Sequence, residues 1–456
     1  MIQIIHYYQD FIFIIFRRTP DDDCGEFFSW ETRGVCDRIY MISATGGMQD
    51  ERNGSSAVVY KRQGEYILMN QKELREIRKR FNPDYGNIGH VYGCYVNGAK
   101  EIVAEMDMSM GIMEQEEAEL YLKLLKKSIS GTLGRNLLDI EFSTAQVEDS
   151  DEHRLLQALR LSHLRDENVR NLFYQRVIES FDPGEDSYVI LMTSDSYDIP
   201  FKGSDDQKWD EGSTEVFDYI VCGICPVKDA KASLRYFSEE KSFRGASSGH
   251  VLGAPDIGFM FPAFDDRSSN IYNALYYSRK VSEIHNEFID GIFNVEKSPM
   301  SPDTQKYLFS DVLEESLGDD CSLDVVKTVH GQIRERVLLH KESKDPELPE
   351  MYVEDVDDML RTSGVPDEKI NTFNDACERE FGESAVLNPG NLIETKKLEM
   401  VTPGVKITVD PEYTYSIKTQ VIDGSSYLLI PMGEGVEVNG IDVNVNAAGP
   451  EDGAEE

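Results

Sequence analysis

Residues 258–264, which read Gly-Phe-Met-Phe-Pro-Ala-Phe, restrict the possible folds more than any other segment of this chain. Alternate side chains of a β-strand point to opposite faces of its sheet. Phe259 and Phe261 would therefore lie on one face and Met260 and Pro262 on the other, so both faces are apolar. A strand of this kind is buried on both sides, and the sequence predicts that it lies deep in a sheet.

Short runs of β-branched and aromatic residues predict further strands, and apolar residues at helical spacing predict helices. The predicted strands cover residues 91–96, 102–103, 188–192, 216–226, 257–261 and 271–277. The predicted helices cover residues 70–81, 114–130, 153–165, 167–181, 282–293, 303–317 and 323–340. The pattern indicates an α+β fold in which a mostly antiparallel sheet is flanked by helices.

Two local signals near the start of this region are specific. Asn70 is the expected N-cap of the first helix, which places Leu74, Ile77 and Phe81 on one face. Asn97-Gly98 follows the first predicted strand, and this dipeptide readily supplies the two positive φ angles of a tight turn. We therefore expect a β-hairpin directly after the first helix.

The region after residue 340 is predicted to form smaller modules. Residues 341–352 contain two prolines and few apolar side chains, which is typical of a linker. The predicted organisation is a main domain at 69–340, the linker at 341–352, a helical hairpin at 353–382, a β-meander at 383–446 and a disordered acidic tail at 447–456. The helices of the hairpin cover 353–362 and 367–381, and the strands of the meander cover 405–409, 415–422, 426–430 and 436–445.

Residues 1–68 show no sustained helical or alternating period after their opening apolar run. Gly64-Glu65 is encoded by GGN followed by GAA or GAG, which can contain a purine-rich ribosome-binding sequence three codons before Met69. Our hypothesis is that Met1 is a mis-called upstream start, and the alternative is a real but irregular extension. Peptides from before Met69 in mass spectra of the native protein would contradict the hypothesis.

The charge balance argues against two classes of partner. The chain has 84 acidic and 46 basic residues and a net charge of -38, which repels nucleic acid and anionic membrane surfaces.

The cysteines and the N-terminal segment bear on the location of the protein. Seven cysteines in 456 residues are sparse and odd in number, whereas a secreted disulfide scaffold has a dense and even set. A basic pair follows the first apolar run instead of preceding it, which is the wrong order for a signal peptide. We expect a cytoplasmic protein with no membrane contact.

Cys222 and Cys225 form a C-x-x-C motif, the strongest apparent signal for redox or zinc chemistry. The motif lies in a predicted strand, where residues three apart point to opposite faces. The two thiols then cannot meet, and we expect them to be packed in the core.

Aspartates follow two of the predicted strands. Asp195 and Asp198 follow one strand, and Asp265 and Asp266 follow another, with Arg267 beside them. If the two strands are neighbours with the same direction, the four carboxylates would converge as a Mg²⁺ site or an acid–base pair requires. The alternative is that they cap turns and pair locally with Arg267. Apart from Mg²⁺ in the first case, no cofactor is predicted.

His250 is a further candidate for catalysis, because it lies in a segment with glycines on either side and so could be mobile.

Basic residues concentrate on the first two helices. They are Lys72, Arg75, Arg78, Lys79, Arg80, Lys123, Lys126, Lys127 and Arg135. Side by side, the two helices would form a basic patch, which is the one route to nucleic acid in this acidic chain. The alternative is an ordinary solvated surface. The second helix is expected to bury Leu120, Leu124 and Leu125 on one side.

The segments at 70–74, 93–96, 130–138, 198–200, 224–227, 255–267 and 422–424 together resemble a family of Gram-positive anaerobes catalogued as domain of unknown function 4317. The most specific segment is Pro-Asp-Ile-Gly-Phe-Met-Phe-Pro-Ala-Phe-Asp-Asp-Arg at 255–267. The resemblance covers Met69 to about Val445 and implies that family members begin at the position of Met69. The family has no established activity, so it assigns no catalytic role to any residue here.

The first functional hypothesis is therefore a non-catalytic, cytoplasmic protein that acts through contacts with a protein partner, with the C-terminal module as the docking part. The first alternative is a hydrolase or transferase that uses a divalent metal at the strand-end aspartates. The second is a nucleic-acid-associated protein that binds through the basic first helix.

Overall fold

The computed structural model describes residues 2–8, 11–16, 29–32, 35–42, 69–83, 86–202, 208–209, 216–230, 233–239, 241–246, 249–382, 385–431 and 435–443. The chain divides into two compact units, Met1–Ala57 and Val58–Glu456. The predicted acidic tail lies outside the described residues.

The first unit contains a four-stranded antiparallel sheet in the order β1-β2-β4-β3. Its strands are β1 (Ile2–Tyr8), β2 (Phe11–Phe16), β3 (Ser29–Thr32) and β4 (Val35–Ile42). The sequence predicted irregular structure after the opening apolar run, so β3 and β4 correct it. Charged residues such as Glu31, Asp37 and Arg38 interrupt the apolar pattern of these two strands.

The second unit contains helices and strands in alternation. The helices are α1 (Gln71–Lys79), α2 (Gln115–Lys127), α3 (Thr144–Asp149), α4 (Asp151–Leu161), α5 (Glu167–Ser180), α6 (Asn286–Ile292), α7 (Pro302–Leu317), α8 (Leu323–Ser343), α9 (Val353–Thr362), α10 (Asp367–Phe381) and α11 (Pro389–Leu392). Short 3-10 helices lie at Gly318–Asp320 and Pro411–Ser416.

The strands up to the end of the large sheet are β5 (His90–Val96), β6 (Ile102–Ser109), β7 (Leu137–Glu141), β8 (Tyr188–Asp198), β9 (Phe201–Lys202), β10 (Lys208–Trp209), β11 (Val216–Ala230), β12 (Ser233–Phe237), β13 (Ser242–Ala246), β14 (Gly249–Leu252), β15 (Ile257–Phe261), β16 (Ala263–Asp265), β17 (Ser268–Asn270) and β18 (Asn273–Ser278). Those that follow the helical region are β19 (Leu398–Thr402), β20 (Val405–Val409), β21 (Lys418–Ile422), β22 (Ser425–Leu429), β23 (Val436–Val438) and β24 (Ile441–Val443).

One large sheet organises this unit. Its strand order is β6-β5-β8-β11-β15-β18-β7, and β14 pairs with the far end of β11. All of these pairs are antiparallel. The predicted α+β fold, a mostly antiparallel sheet flanked by helices, is confirmed.

Strand β15 lies near the centre of the sheet and is buried along its whole length, as predicted. Phe259 and Phe261 belong to the apolar core on one face, which is covered by residues of α4, α5 and α6. Met260 and Phe264 belong to the core on the other face, which is covered by α1 and α2. The sheet is therefore the middle layer between two layers of helices.

Two paired glycines let helix α2 end directly on the sheet. Gly223 of β11 lies opposite Gly258 of β15, and Ser128, the C-cap of α2, sits against both. A Cβ atom at Gly258 would lie 2.5 Å from the Ser128 Cβ and 2.9 Å from the Cys222 carbonyl oxygen. Glycine is required here because real Cβ atoms do not approach so closely.

Helix α1 forms as its sequence predicts. The Asn70 side chain accepts hydrogen bonds from the backbone N–H groups of Lys72 (2.9 Å) and Glu73 (3.1 Å), and Glu73 accepts one from the Asn70 N–H (3.0 Å). This reciprocal pair is a capping box. Leu74 and Ile77 are fully buried, and Phe81 is nearly so.

The hairpin after α1 has the predicted strands but a different turn. The Asn97 side chain accepts hydrogen bonds from the N–H groups of Ala99 and Glu101, and the positive φ angle falls on Lys100, at 61°. Neither Asn97 nor Gly98 has a positive φ angle, so a longer turn built on the asparagine side chain replaces the predicted two-residue turn.

The buried side of helix α2 agrees with the prediction in part. Leu125 is buried with Leu122 and Ala118, and Leu124 is partly buried against the same core, whereas Leu120 is 62% exposed. Contact with the sheet selects the face on which Leu122 and Leu125 lie.

The helices α7 to α11 form a third apolar core of their own. The helical pair α9 and α10 has the predicted bounds, and Gly364 in the turn between them has a φ angle of 82°. The sequence assigned the segments of α7 and α8 to the main domain, but both helices pack with the pair. The segment predicted as a linker is also packed, since the Gln71 N–H donates a hydrogen bond to the Pro346 carbonyl (3.1 Å).

The C-terminal strands form three separate hairpins, β19–β20, β21–β22 and β23–β24, instead of one four-stranded meander. The sequence missed β19. The turn predictions are correct, because Asp423-Gly424 and Asn439-Gly440 have φ angles of 50° and 78°, and of 50° and 82°. Such turns join two strands but supply no pairing between one hairpin and the next.

Helices long and apolar enough to cross a membrane are absent from the described ranges.

Candidate functional site

The aspartates predicted from the sequence lie at one edge of the large sheet. Strands β8 and β15 are both antiparallel to β11 and therefore run in the same direction. Their carboxyl ends reach the same edge, but β11 lies between them. Of the two conditions for convergence, the common direction is met but direct neighbourhood is not, because the order of strands in a sheet is not encoded in any local pattern.

Asp195 is held in a buried ion pair with Arg80, which follows helix α1. Arg80 donates from Nε to Oδ2 (2.8 Å) and from Nη2 to Oδ1 (3.0 Å), and Asp195 is only 3% exposed. The Tyr219 hydroxyl, directly across the strand pair, donates to Oδ2 as well (2.9 Å). The Asp195 carboxylate raises the pKa of Arg80, and burial followed by the Asp195 charge raises the pKa of Tyr219.

A second ion pair joins α1 to the turn after β16. Arg267 donates from Nη1 to Glu76 Oε2 (2.9 Å) and from Nη2 to the Pro200 carbonyl (3.1 Å). The Tyr197 hydroxyl also donates to Glu76. Burial and the Glu76 hydrogen bond raise the pKa of Tyr197. The Arg80 guanidinium lies 5.2 Å from the centre of the Tyr197 ring, which connects the two ion pairs.

Glu73 and Asp265 complete this strand-end cluster. Glu73 accepts a hydrogen bond from the Arg267 backbone N–H (3.1 Å), and Asp265 accepts one from Asn270 (2.6 Å). Burial, together with the nearby Asp265 charge, raises the pKa of Glu73. The strand-end cluster thus consists of Glu73, Glu76, Arg80, Asp195, Tyr197, Tyr219, Asp265 and Arg267.

Three of the predicted candidates stay outside this cluster. Asp198 and Asp266 are exposed. His250 Nδ1 lies 3.0 Å from Asp229 Oδ1 across the β11–β14 pair. Ten residues of strand β11 separate Asp229 from Tyr219, a distance of about 33 Å at the rise of an extended strand. The structure therefore brings together Asp195, Asp265 and Arg267 but not the other three.

The chemistry of the strand-end cluster is that of internal charge pairing. Both oxygens of Asp195 and both oxygens of Glu76 accept hydrogen bonds from arginine. Among the described residues, no three His, Cys, Asp or Glu side chains are arranged to hold a metal ion. Hydrogen-bonded carboxylates of this kind fix a helix to a sheet, and structural ion-pair networks also shift pKa values.

Sequence reasoning missed the α1 side of the cluster. Glu73, Glu76 and Arg80 are spaced by three and four residues and so share one face of the helix. That spacing indicates a charged face on the helix, but the partners of this face lie 115 to 194 residues away in sequence.

Asp266 and Arg267 form the two-residue turn between β16 and β17, with φ angles of 43° and 56°. A side chain in this left-handed region costs about 1–2 kcal/mol. We expect Arg267→Gly to be about 1 kcal/mol more stable than Arg267→Ala, because both lose the Glu76 pair but only glycine relieves the strain. Urea unfolding of the two variants measures the difference, and an alanine variant equal to or better than glycine would contradict it.

Arg78 joins α1 to the segment that follows α2, so part of the basic charge is internal. Arg78 donates from Nε to the Ile129 carbonyl (2.7 Å) and from Nη2 to the Gly131 carbonyl (3.2 Å), just beyond the end of α2. Arg80 is paired with Asp195. Two of the nine cations predicted as a nucleic-acid patch therefore hold the fold together.

The C-x-x-C cysteines lie on opposite faces of the sheet, as the sequence predicts. Cys222 belongs to one apolar core and Cys225 to the other. Burial raises the pKa of the Cys222 thiol, and it raises that of Cys225 to about 12. Thiols that stay protonated are poor nucleophiles.

We therefore expect neither Cys222 nor Cys225 to be alkylated by iodoacetamide at pH 8 until the protein unfolds. We also expect no disulfide between them after mild oxidation. Mass spectrometry of tryptic peptides measures both results, with urea-unfolded protein as the positive control. A Cys222–Cys225 crosslink in the native protein would show that the motif is redox-active.

A cleft of about 480 Å³ lies between the start of α6 and the start of α7. His285 lines it, 3.9 Å from Glu283, and burial lowers the pKa of this histidine. The other lining side chains include Ser301, which caps α7. No feature of the cleft matches a site predicted from the sequence.

The family model for a domain of unknown function, DUF4317, matches residues 69–441. The chain belongs to this family. The match covers most of the chain and confirms the resemblance found in the sequence. The matched residues include the whole strand-end cluster and the first two C-terminal hairpins of this DUF4317 protein, and they end at the first residue of β24. No curated protein matches the chain.

Many exposed apolar side chains lie between Val401 and Ile441, on the C-terminal hairpins of the DUF4317 region and on the 3-10 helix between them. The group consists of Val401, Val405, Tyr413, Tyr415, Val421, Ile422, Tyr427, Leu429, Ile430, Val438 and Ile441. In the β21–β22 hairpin nine of ten residues are exposed. Ile422, Tyr427 and Leu429 share one side of this hairpin, because Ile422 pairs with Ser425, and Tyr427 and Leu429 follow at intervals of two. We call these three side chains the hairpin face.

The segment before β21 is anchored to the helical region. Ile417 is buried, and its carbonyl accepts a hydrogen bond from Lys327 of α8 (3.0 Å). Arg334 of the same helix lies 3.9 Å from Glu412. The base of the β21–β22 hairpin is therefore held while its two strands remain exposed.

Proposed function

We propose that this DUF4317 protein is a non-catalytic interaction or regulatory protein of the cytoplasm, and that its C-terminal hairpins bind a protein partner. The observation that carries this proposal is the β21–β22 hairpin, which is anchored at Ile417 and exposed on both sides. An isolated two-stranded hairpin is only marginally stable in water. A group of exposed apolar side chains is typical of a binding surface.

The free edges of the hairpins favour the same function. A strand that pairs on one side only has unpaired N–H and C=O groups on the other, which can pair with a strand of a partner. The hairpin face would supply apolar contacts beside those hydrogen bonds. We assign the strand-end cluster no role in this binding, because Asp195 and Glu76 are already paired with Arg80 and Arg267 within the chain.

Quantitative affinity purification tests the proposal. The wild-type protein is compared with Ile422→Thr/Tyr427→Thr, which keeps β-forming residues but removes most of the hairpin face. Leu120→Ala/Tyr307→Ala is the matched control, because both residues are exposed apolar side chains on helices. We expect a reproducible partner that is lost in the hairpin variant and kept in the control. A partner set that is unchanged in the hairpin variant would contradict the proposal.

A further inference from the structure

Another two-stranded hairpin, formed by β12 and β13 in the middle of the chain, also has an exposed apolar side. These strands lie between β11 and β14 in sequence and pair antiparallel, with Tyr236 opposite Phe243 and Leu234 opposite Gly245. Leu234, Tyr236 and Phe243 lie on one side and are 72%, 56% and 67% exposed. The rings of Tyr236 and Phe243 have centres 5.3 Å apart. We call these three side chains the ribbon face.

The two exposed hairpin systems have opposite charge. Residues 227–252 contain five Lys or Arg and three Asp or Glu, a net charge of +2 in a chain of net charge -38. Residues 398–443 contain two Lys and seven Asp or Glu, a net charge of -5. Opposite potentials favour encounter and orientation of two surfaces, even where they add little to affinity.

The two faces also match in kind. Each is one side of a two-stranded antiparallel hairpin, and each contains three large apolar side chains with a tyrosine among them. Sheets pack face to face about 10 Å apart through such side chains. Every copy of the chain has one ribbon face and one hairpin face. Each ribbon face is therefore always accompanied by an equal concentration of hairpin faces.

We propose that the ribbon face of one copy docks on the hairpin face of a second copy, so that the protein self-associates by a heterologous contact. The inference rests on the proposed function, because it names the partner of the same C-terminal surface. A second copy is favoured over nucleic acid as the ligand of the ribbon, because the apolar side chains of the ribbon face are matched by those of the hairpin face, whereas a phosphate backbone has no apolar surface to match them. If each of two copies docks its ribbon face on the hairpin face of the other, the two contacts close a dimer. If each copy binds a different neighbour, the contacts extend into larger assemblies.

Sedimentation velocity of the full chain over a hundredfold range of concentration tests the inference. The ribbon variant is Tyr236→Thr/Phe243→Thr, the hairpin variant is Ile422→Thr/Tyr427→Thr, and Leu120→Ala/Tyr307→Ala is the control. We expect the wild type and the control to associate as concentration rises. Each of the two variants alone should weaken association by about tenfold or more, because aromatic anchors dominate such contacts.

Mixing the two variants gives the decisive result. The ribbon variant keeps an intact hairpin face and the hairpin variant keeps an intact ribbon face, so an equimolar mixture is expected to form a complex that neither forms alone. Circular dichroism of each variant confirms that it is folded.

A wild type that stays monomeric at every concentration would overturn the inference, as would a mixture that forms no complex. Neither result would overturn the proposed function, which fails if the hairpin variant keeps its full set of partners. Loss of a different protein in the hairpin variant, with a monomeric wild type, would leave the function standing and remove the second copy as the partner.

Discussion

Replacing Asp195 with alanine is expected to lower the free energy of unfolding by about 3–5 kcal/mol, the usual cost of removing one partner of a buried ion pair. The Arg80 guanidinium and the Tyr219 hydroxyl would both lose their shared acceptor in a site that is almost closed to water. Urea unfolding followed by circular dichroism measures the loss. Asp198→Ala is the matched control, because Asp198 lies in the same strand but is exposed, and it should change stability by less than about 0.5 kcal/mol.

A triple variant separates the structural role of Asp195 from a catalytic one. Arg80→Met/Asp195→Leu/Tyr219→Phe removes every polar group of the pair together, and apolar replacement of a buried ion pair is often neutral. We expect it to recover about 2 kcal/mol or more relative to Asp195→Ala. If Asp195→Ala and Asp198→Ala were equally stable, and both lost binding of Mg²⁺, the metal-dependent alternative would replace the structural interpretation.

The second large effect is expected at Gly258. Its alanine variant must move Ser128 at the end of α2 or the paired strand β11, since the new Cβ atom would lie 2.5 Å from the Ser128 Cβ. Overpacking of a rigid core costs about 1–3 kcal/mol, and we expect the upper part of this range because backbone atoms are involved. Urea unfolding again measures the cost.

Gly249→Ala is the control for Gly258→Ala. Gly249 also lies in a strand, but a Cβ atom there would have no neighbour within 4 Å. We expect a change of less than about 0.5 kcal/mol. Equal effects at the two positions would mean that helix α2 does not end on the paired glycines.

Features with a local cause were predictable from the sequence. The Asn70 cap, the bounds of α9 and α10, and the turns at Asp423-Gly424 and Asn439-Gly440 depend on residues within a few positions of each other. The burial of β15 on both sides and the opposite orientation of Cys222 and Cys225 follow from the period of two in a strand.

Features that depend on distant parts of the chain were not predictable. The insertion of β11 between β8 and β15 decides which aspartates meet, and no residue pattern states the order of strands. The partner of Asp195 lies 115 residues away in sequence. The exposure of Leu120 depends on which side of α2 contacts the sheet. In the described residues the three C-terminal hairpins are not paired with one another. Their turn motifs do not indicate whether neighbouring hairpins pair.

Site-specific photo-cross-linking in the native host tests the binding role of the C-terminal hairpins most directly. A photoreactive phenylalanine analogue replaces Tyr427 in the hairpin face, and in a control it replaces Tyr307, which is exposed on α7. We predict reproducible cross-links to a protein, a second copy or another chain, at position 427 and not at position 307. The absence of protein cross-links at position 427, in cells where the protein is abundant, would contradict the binding role.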